Sequence, residues 1–328
     1  METLAFGPVP SRRLGKSLGI NNIPAKNCTY SCIYCQLGRT LNMMVERKAF
    51  YKPEEILKEV ERKVKEATSR NERIDYLTFV PDGEPTLDIN LGEEINLIKQ
   101  IGIPIAVITN ASLLWREDVE KDLMDADLVS LKVDAVSEEL WRRINRPHKS
   151  LSLSKILGGV SNFTREFNHK IITETMLVEG VEYAGEFEKI AEFLKDLRSL
   201  DKAYIAIPTR PPAEEWVKPA TEETLNRAFQ TFTEKLGVDR VEYLIGYEGN
   251  AFAFTGNVEE DLLSITAVHP MRKEAITEFL KKANADWKRV EKLLSGNKLV
   301  ELEYEGNKYY MRRLPSRRKS DKHFLKRE

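Results

Sequence analysis

Three cysteines, all that the chain has, stand in Asn27-Cys28-Thr29-Tyr30-Ser31-Cys32-Ile33-Tyr34-Cys35, and this CxxxCxxC run constrains the chain more than any other feature. An odd number of thiols packed so closely makes a poor disulfide framework, so the run reads as a set of metal ligands. Thiolates hold iron–sulfur clusters, whose four irons usually take four cysteines. Cys28, Cys32 and Cys35 would leave one iron without a protein ligand. Such a vacancy is where a substrate or cofactor coordinates, as in catalytic zinc sites. Structural zinc is the rival reading, but it needs a fourth ligand, and His148, His169, His269 and His323 all lie far from the run.

The chain of 328 residues is long enough for one large domain and a small one. Short β-branched runs (17–23, 76–80, 105–109, 128–133, 171–178 and 203–207) alternate with amphipathic ones (54–67, 91–101, 116–125, 153–166, 187–197 and 222–235). Six strands with helical crossovers imply a parallel sheet with right-handed connections. Along Ser130-Leu131-Lys132-Val133-Asp134 the period of two puts three polar residues on one face. A buried parallel strand is apolar on both faces, so this strand either lines a polar lumen or is an edge strand with a wet side.

The cysteine run, with Tyr34 just before its last thiol, resembles the signature of the radical S-adenosylmethionine (SAM) superfamily. The flanking stretch from Phe6-Gly7-Pro8-Val9-Pro10 to Cys35-Gln36-Leu37-Gly38 is similar to one branch of it, the iron–sulfur oxidoreductases grouped with the wyosine-forming tRNA enzymes. The likeness continues through Asp82-Gly83-Glu84-Pro85-Thr86, Thr175-Met176-Leu177-Val178 and 208–214. It implies an α/β fold, a (β/α)6 partial TIM-like barrel, holding a [4Fe–4S] cluster on Cys28, Cys32 and Cys35. It implies an oxidoreductase fed by an external one-electron donor of flavodoxin or ferredoxin type. A reduced cluster would split SAM, and the resulting 5′-deoxyadenosyl radical would abstract hydrogen from a substrate. Gly83 and Glu84 match the family's Gly-Gly-Glu type motif for the methionine end of SAM, with Asp82 in place of the first glycine. Tyr34, Asn110, Lys132 and Asp134 are further candidates for contact with SAM. The wyosine-forming enzymes carry a second cluster on three more cysteines, which this chain lacks, so their pyruvate chemistry does not carry over.

Arg12, Arg13, Lys26 and Arg210 are candidates to steer an anionic substrate, against the alternative of a solvated surface. Beyond Gly256 the pattern changes. Helices over 271–282 and 287–295, the latter capped by Asn284 or Asp286, precede a hairpin of 299–304 and 308–312 turning at Glu305-Gly306-Asn307. This predicts a core over 1–256, a small winged-helix-like domain over 257–315 and a basic tail over 316–328. From Lys308 onward nine Lys or Arg face only Asp321 and Glu328, in a protein of net charge −1. Lys288, Arg289, Lys292, Arg312, Arg313, Arg317 and Arg318, interleaved with Tyr304, Tyr309 and Tyr310, are candidates for nucleic-acid contact and stacking, against the alternative of a solvated basic terminus with the tyrosines packed on the helices. RNA, with tRNA modification as the reaction, is the favoured substrate. A protein- or peptide-directed radical enzyme (an activase) and a small-molecule enzyme are the alternatives. No run approaches the ~20 apolar residues of a membrane span, and no secretory signal opens the chain, so the expected location is the cytoplasm without a membrane partner.

Overall fold

The computed structural model describes residues 4–313. The chain opens with an antiparallel pair, β1 (Ala5–Ser11) and β2 (Gly15–Ile20). Two short strands, β3 (Asn27–Cys28) and β4 (Asn42–Met43), tie the ends of the cysteine loop in parallel. Then come α1 (Pro53–Ser69), β5 (Tyr76–Phe79), α2 (Leu91–Lys99), β6 (Ile105–Thr109), α3 (Glu117–Leu123) and β7 (Leu128–Lys132). Two helices, α4 (Glu138–Asn145) and α5 (Leu153–Glu166), lead to β8 (Lys170–Met176). The series ends with α6 (Glu186–Lys195), β9 (Leu200–Ala206), α7 (Glu222–Leu236) and β10 (Val241–Leu244).

Local chemistry sets these elements. In α1, Pro53 takes the first turn with Glu54 and Glu55, and Ile56, Val60, Lys63 and Ala67 form the buried face. Thr221 caps α7 by accepting from Thr224 N, and Gly237 ends it.

The sheet order is β1-β2-β5-β6-β7-β8-β9-β10, parallel from β2 onward, and the sheet curls into a half-barrel. All six sequence-predicted strands are present and adjacent, flanked by two that the sequence did not reveal. Pro8 and Pro10 disguise β1, and Pro is tolerated there because β1 is an edge strand. β10 is only four residues long. One face of the sheet packs under the helices through Leu77, Val107, Val129, Leu131 and Ile205. On the other face, Ala106, Leu128, Ile172, Tyr204, Ala206 and Leu244 join Leu14 in a separate apolar cluster to which no helix among the described residues contributes. That face is the lumen, apolar at its base.

The rest of the chain comprises α8 (Val258–Val268), β11 (Met271–Arg272), α9 (Lys273–Lys282), α10 (Lys288–Ser295), β12 (Leu299–Tyr304) and β13 (Asn307–Arg312), with a small sheet ordered β11-β13-β12. The sequence foresaw the hairpin and two helices but missed α8, because burial on nearly every side erases its amphipathic period. The helix expected from Met271 begins at Lys273, since Met271 and Arg272 pair with β13. Neither Asn284 nor Asp286 caps α10, whose N-cap is Trp287. An apolar cluster running from Phe252 to Tyr310 takes in Phe6 and Val9 of β1, so this part of the chain packs on the sheet edge. Buried Lys63 of α1 reaches Asp261 of α8 at 3.2 Å and Thr255 at 3.0 Å. Arg317, Arg318 and the basic tail lie outside the described residues.

Candidate active site

The strands β5 to β8 end in one layer facing the cysteine loop, as expected for a barrel whose chemistry sits at the C-terminal ends of its strands. The loop is sewn to three elements. Ser31 N and Ile33 N bond to Asn145 O and Ile144 O at the end of α4, at 3.1 and 2.9 Å. Lys26 N donates to Asp82 O at 2.6 Å, and Glu84 N to Asn27 O at 3.1 Å. Glu214 N donates to Ile33 O at 3.1 Å, and the Glu214 carboxylate takes Arg39 at 2.9 Å and also Arg146. Gly83 is needed for this close approach, because a Cβ there would stand 1.9 Å from Asn27 O.

The three thiols are partly exposed. Burial raises all of them: Cys28 well above its ordinary value with help from Glu84, Cys32 to about 12 with help from Asp134, and Cys35 as well. Two receive amide donors, Asn110 Nδ2 at 3.6 Å from Cys28 Sγ and Asn145 Nδ2 at 3.5 Å from Cys32 Sγ. Among the described residues no three His, Cys, Asp or Glu side chains are grouped to hold a single metal ion.

Glu84 is buried, and both of its carboxylate oxygens accept, Oε1 three hydrogen bonds and Oε2 one. Thr86 N (3.2 Å), Thr86 Oγ1 (2.7 Å), Thr109 Oγ1 (2.5 Å) and Asn110 N (2.7 Å) all donate to this carboxylate. Glu84 therefore braces the end of β5 to the end of β6. Asn110 passes the brace on, its Nδ2 donating to Thr29 Oγ1 at 2.8 Å. Asp134, also buried, accepts from the Tyr34 hydroxyl, from Asn145 Nδ2 at 2.6 Å and from Met176 N at 2.8 Å.

Lys132 lies 2.5 Å from Glu174 and 3.6 Å from Asp134, and its ammonium stands 4.9 Å from the Tyr34 ring centroid. Burial alone would lower Lys132, but Asp134 and Glu174 outweigh it and raise it. Glu174 also takes Arg13 at 2.5 Å. Burial pushes its carboxyl up, yet Lys132 and Arg13 hold it at about 2. The alternation in β7 does put Ser130 and Lys132 on the open face, where Arg13 Nη1 stands 3.4 Å from Ser130 Oγ.

Of the substrate candidates, Arg13 is drawn into this ion network, while Lys26 sits in the turn that meets Asp82. Arg12 stays at the surface, and Arg210 pairs with Glu248 and Gln36. Sequence reasoning missed Asn145, Gln36, Tyr247, Glu248 and His269, none of which carries a local signal.

The C-terminal candidates divide. Tyr309 and Tyr310 are buried, which corrects the expectation that they stack on bases. The Tyr309 hydroxyl donates to Thr209 O at 2.8 Å, and Tyr310 packs edge-on against Trp287. Half-buried Tyr304 donates to Pro208 O at 3.2 Å. Arg289 and Lys292 both meet Glu259, at 3.3 and 2.8 Å. Lys288 and Arg313 are exposed and Arg312 is half-buried.

A curled β/α sheet with three thiols at its mouth defines a class. Residues 22–207 match the Radical SAM superfamily, and the chain belongs to it. The chain is 51% identical over 319 residues to a UPF0026 protein of Methanocaldococcus jannaschii, covering 97% of this chain and 98% of that one. It is 34% identical over 201 residues to a UPF0026 protein of Helicobacter pylori, spanning 60% of this chain and less than two thirds (63%) of that one. A solved radical SAM methyltransferase from Sphaerobacter thermophilus shares the fold at 15% identity and a TM-score of 0.51, covering 69% of this chain and 66% of that one. The protein is a radical SAM enzyme, and members of its family bind a [4Fe–4S] cluster and SAM. The donor set fits such a cluster. Burial makes the thiols poor free thiolates, so a cationic centre would supply what they lack, and two amides already point at sulfur. No helix among the described residues is long and apolar enough to cross a membrane.

Proposed function

We propose that Cys28, Cys32 and Cys35 hold the [4Fe–4S] cluster, that SAM lies along the ends of β5 to β8, and that the substrate is RNA. Held there, a reduced cluster would supply the one electron needed to split the sulfur–carbon bond of SAM, and the adenosyl fragment would take hydrogen from an unactivated carbon. The chain's own residues do the rest. Asn110 and Asn145 hold the Cys28 and Cys32 sulfurs by hydrogen bonds. The turn with Gly83 and Glu84, together with Tyr34, Lys132 and Asp134, forms the polar wall against SAM. Glu84 acts chiefly by fixing Asn110, because its own oxygens are taken. The electron comes from a flavodoxin- or ferredoxin-type partner in the cytoplasm.

One observation carries the RNA reading. The strand that touches the mouth through Tyr309 also begins the most basic stretch of the chain, from Lys308 onward. The order helix, strand, two helices, hairpin supports a winged-helix-like unit over 257–315 as the substrate arm. If about four cations meet phosphates, log affinity for a single-stranded RNA should fall with log salt at a slope near −3, from roughly −0.7 per contact. A slope near zero would overturn the RNA reading.

A further inference from the structure

A second part of the mouth's rim, which meets the cysteine loop at Gln36, is assembled from four distant segments. These are the β1–β2 turn with Arg12, the loop after β9 with Arg210, the loop after β10 with Tyr247 and Glu248, and His269 at the end of α8. Two donors here are buried with no acceptor among the described residues, Nε of Arg210 and the hydroxyl of Tyr247. The rest of the Arg210 guanidinium is engaged. Nη1 donates to Gln36 Oε1 at 2.7 Å, and Nη2 meets Glu248 and lies 2.9 Å from His269 Nε2. Tyr247 is held by Arg272, whose guanidinium stands 4.4 Å from its ring centroid. Arg12 is exposed and makes no hydrogen bond or ion pair among the described residues. Its Nη1 lies beside the same loop, 3.7 Å from where a Cβ of Gly246 would be.

Buried polar groups in native folds almost always find partners, so orphaned ones need an explanation. Here both orphans are donors, and exposed Arg12 adds a third donor beside them. The nearby carboxylates are already taken, Glu248 by Arg210 and Glu174 by Arg13 and Lys132. A bridging water would accept from two donors and still need acceptors of its own.

We propose that Arg12, Arg210 and Tyr247 form a subsite for a phosphate group of the substrate. A phosphate offers acceptors in three directions and suits two guanidinium groups, whereas a planar carboxylate serves one fork. The inference takes from the proposed function only that substrate enters at this mouth.

The test is calorimetric titration of the full-length, cluster-loaded protein, saturated with SAM, using uridine 5′-monophosphate and uridine as probes. The monophosphate binds and uridine binds at least tenfold more weakly. Tyr247→Phe and Arg12→Ala each weaken the monophosphate by roughly tenfold, the scale of one hydrogen bond to a charged group. The thermal midpoint of Tyr247→Phe stays at or above that of the wild type, because the lost hydroxyl had no partner. Equal binding of the two probes, no binding of either, or unchanged affinity in Tyr247→Phe overturns the subsite. A lower midpoint in Tyr247→Phe does the same, since it reveals an internal partner. A flat salt slope for RNA would instead remove the RNA reading alone and leave a smaller phosphorylated substrate for this subsite.

Discussion

The two rims of the barrel mouth are built on opposite terms. On the cysteine side two buried carboxylates are held by several donors each, Glu84 by four neutral donors and Asp134 by Tyr34, Asn145 and a backbone amide. On the side under the C-terminal helices, charged groups dominate and donors are left over. A rim that positions a reactive cofactor gains from being fixed beforehand, since groups already in place need no reorganisation during reaction. A rim that receives a substrate keeps its unsatisfied groups for that substrate.

The comparison breaks most severely at Glu84. Glu84→Ala orphans four buried donors at once, so unfolding free energy should fall by roughly 3 kcal/mol or more, read from the denaturant midpoint. A variant as stable as the wild type would mean that the cysteine-side rim is not held by this carboxylate. Glu174 sharpens the comparison from inside the lumen. Its folded-state value, about 2, lies below its ordinary 4.5, so its stabilisation is present above pH 4.5 and is lost as pH falls through 4.5 towards 2. Glu174→Gln should therefore cost roughly 2–3 kcal/mol at neutral pH, with the gap to wild type closing by about pH 2. A gap that stays constant with pH would rule out the ion network with Lys132 and Arg13 as its source.

The cysteine-side rim was legible because its parts are local. A CxxxCxxC run, a turn at Asp82-Gly83-Glu84 and the alternation of Ser130, Lys132 and Asp134 each announce themselves within a few residues. The second part of the rim was not. Arg12, Gln36, Arg210, Tyr247 and His269 come from five separate stretches of the chain, and no short pattern encodes their meeting. The hairpin tyrosines were misread for a related reason. Alternation puts adjacent Tyr309 and Tyr310 on opposite faces, and both faces are covered, one by the loop after β9 and the other by Trp287. Asn145, a donor to Cys32, sits at the end of α4, an amphipathic helix of eight residues whose pattern does not reveal that its end meets the cysteine loop.

The most direct test is iron content and SAM cleavage measured on the same anaerobically prepared, chemically reduced protein. The wild type should hold about four irons per chain, one cubane cluster, and release 5′-deoxyadenosine. Cys28→Ala, Cys32→Ala and Cys35→Ala should each lose both. Cleavage of SAM by the triple variant, or zinc in place of iron in the wild type, would contradict the account.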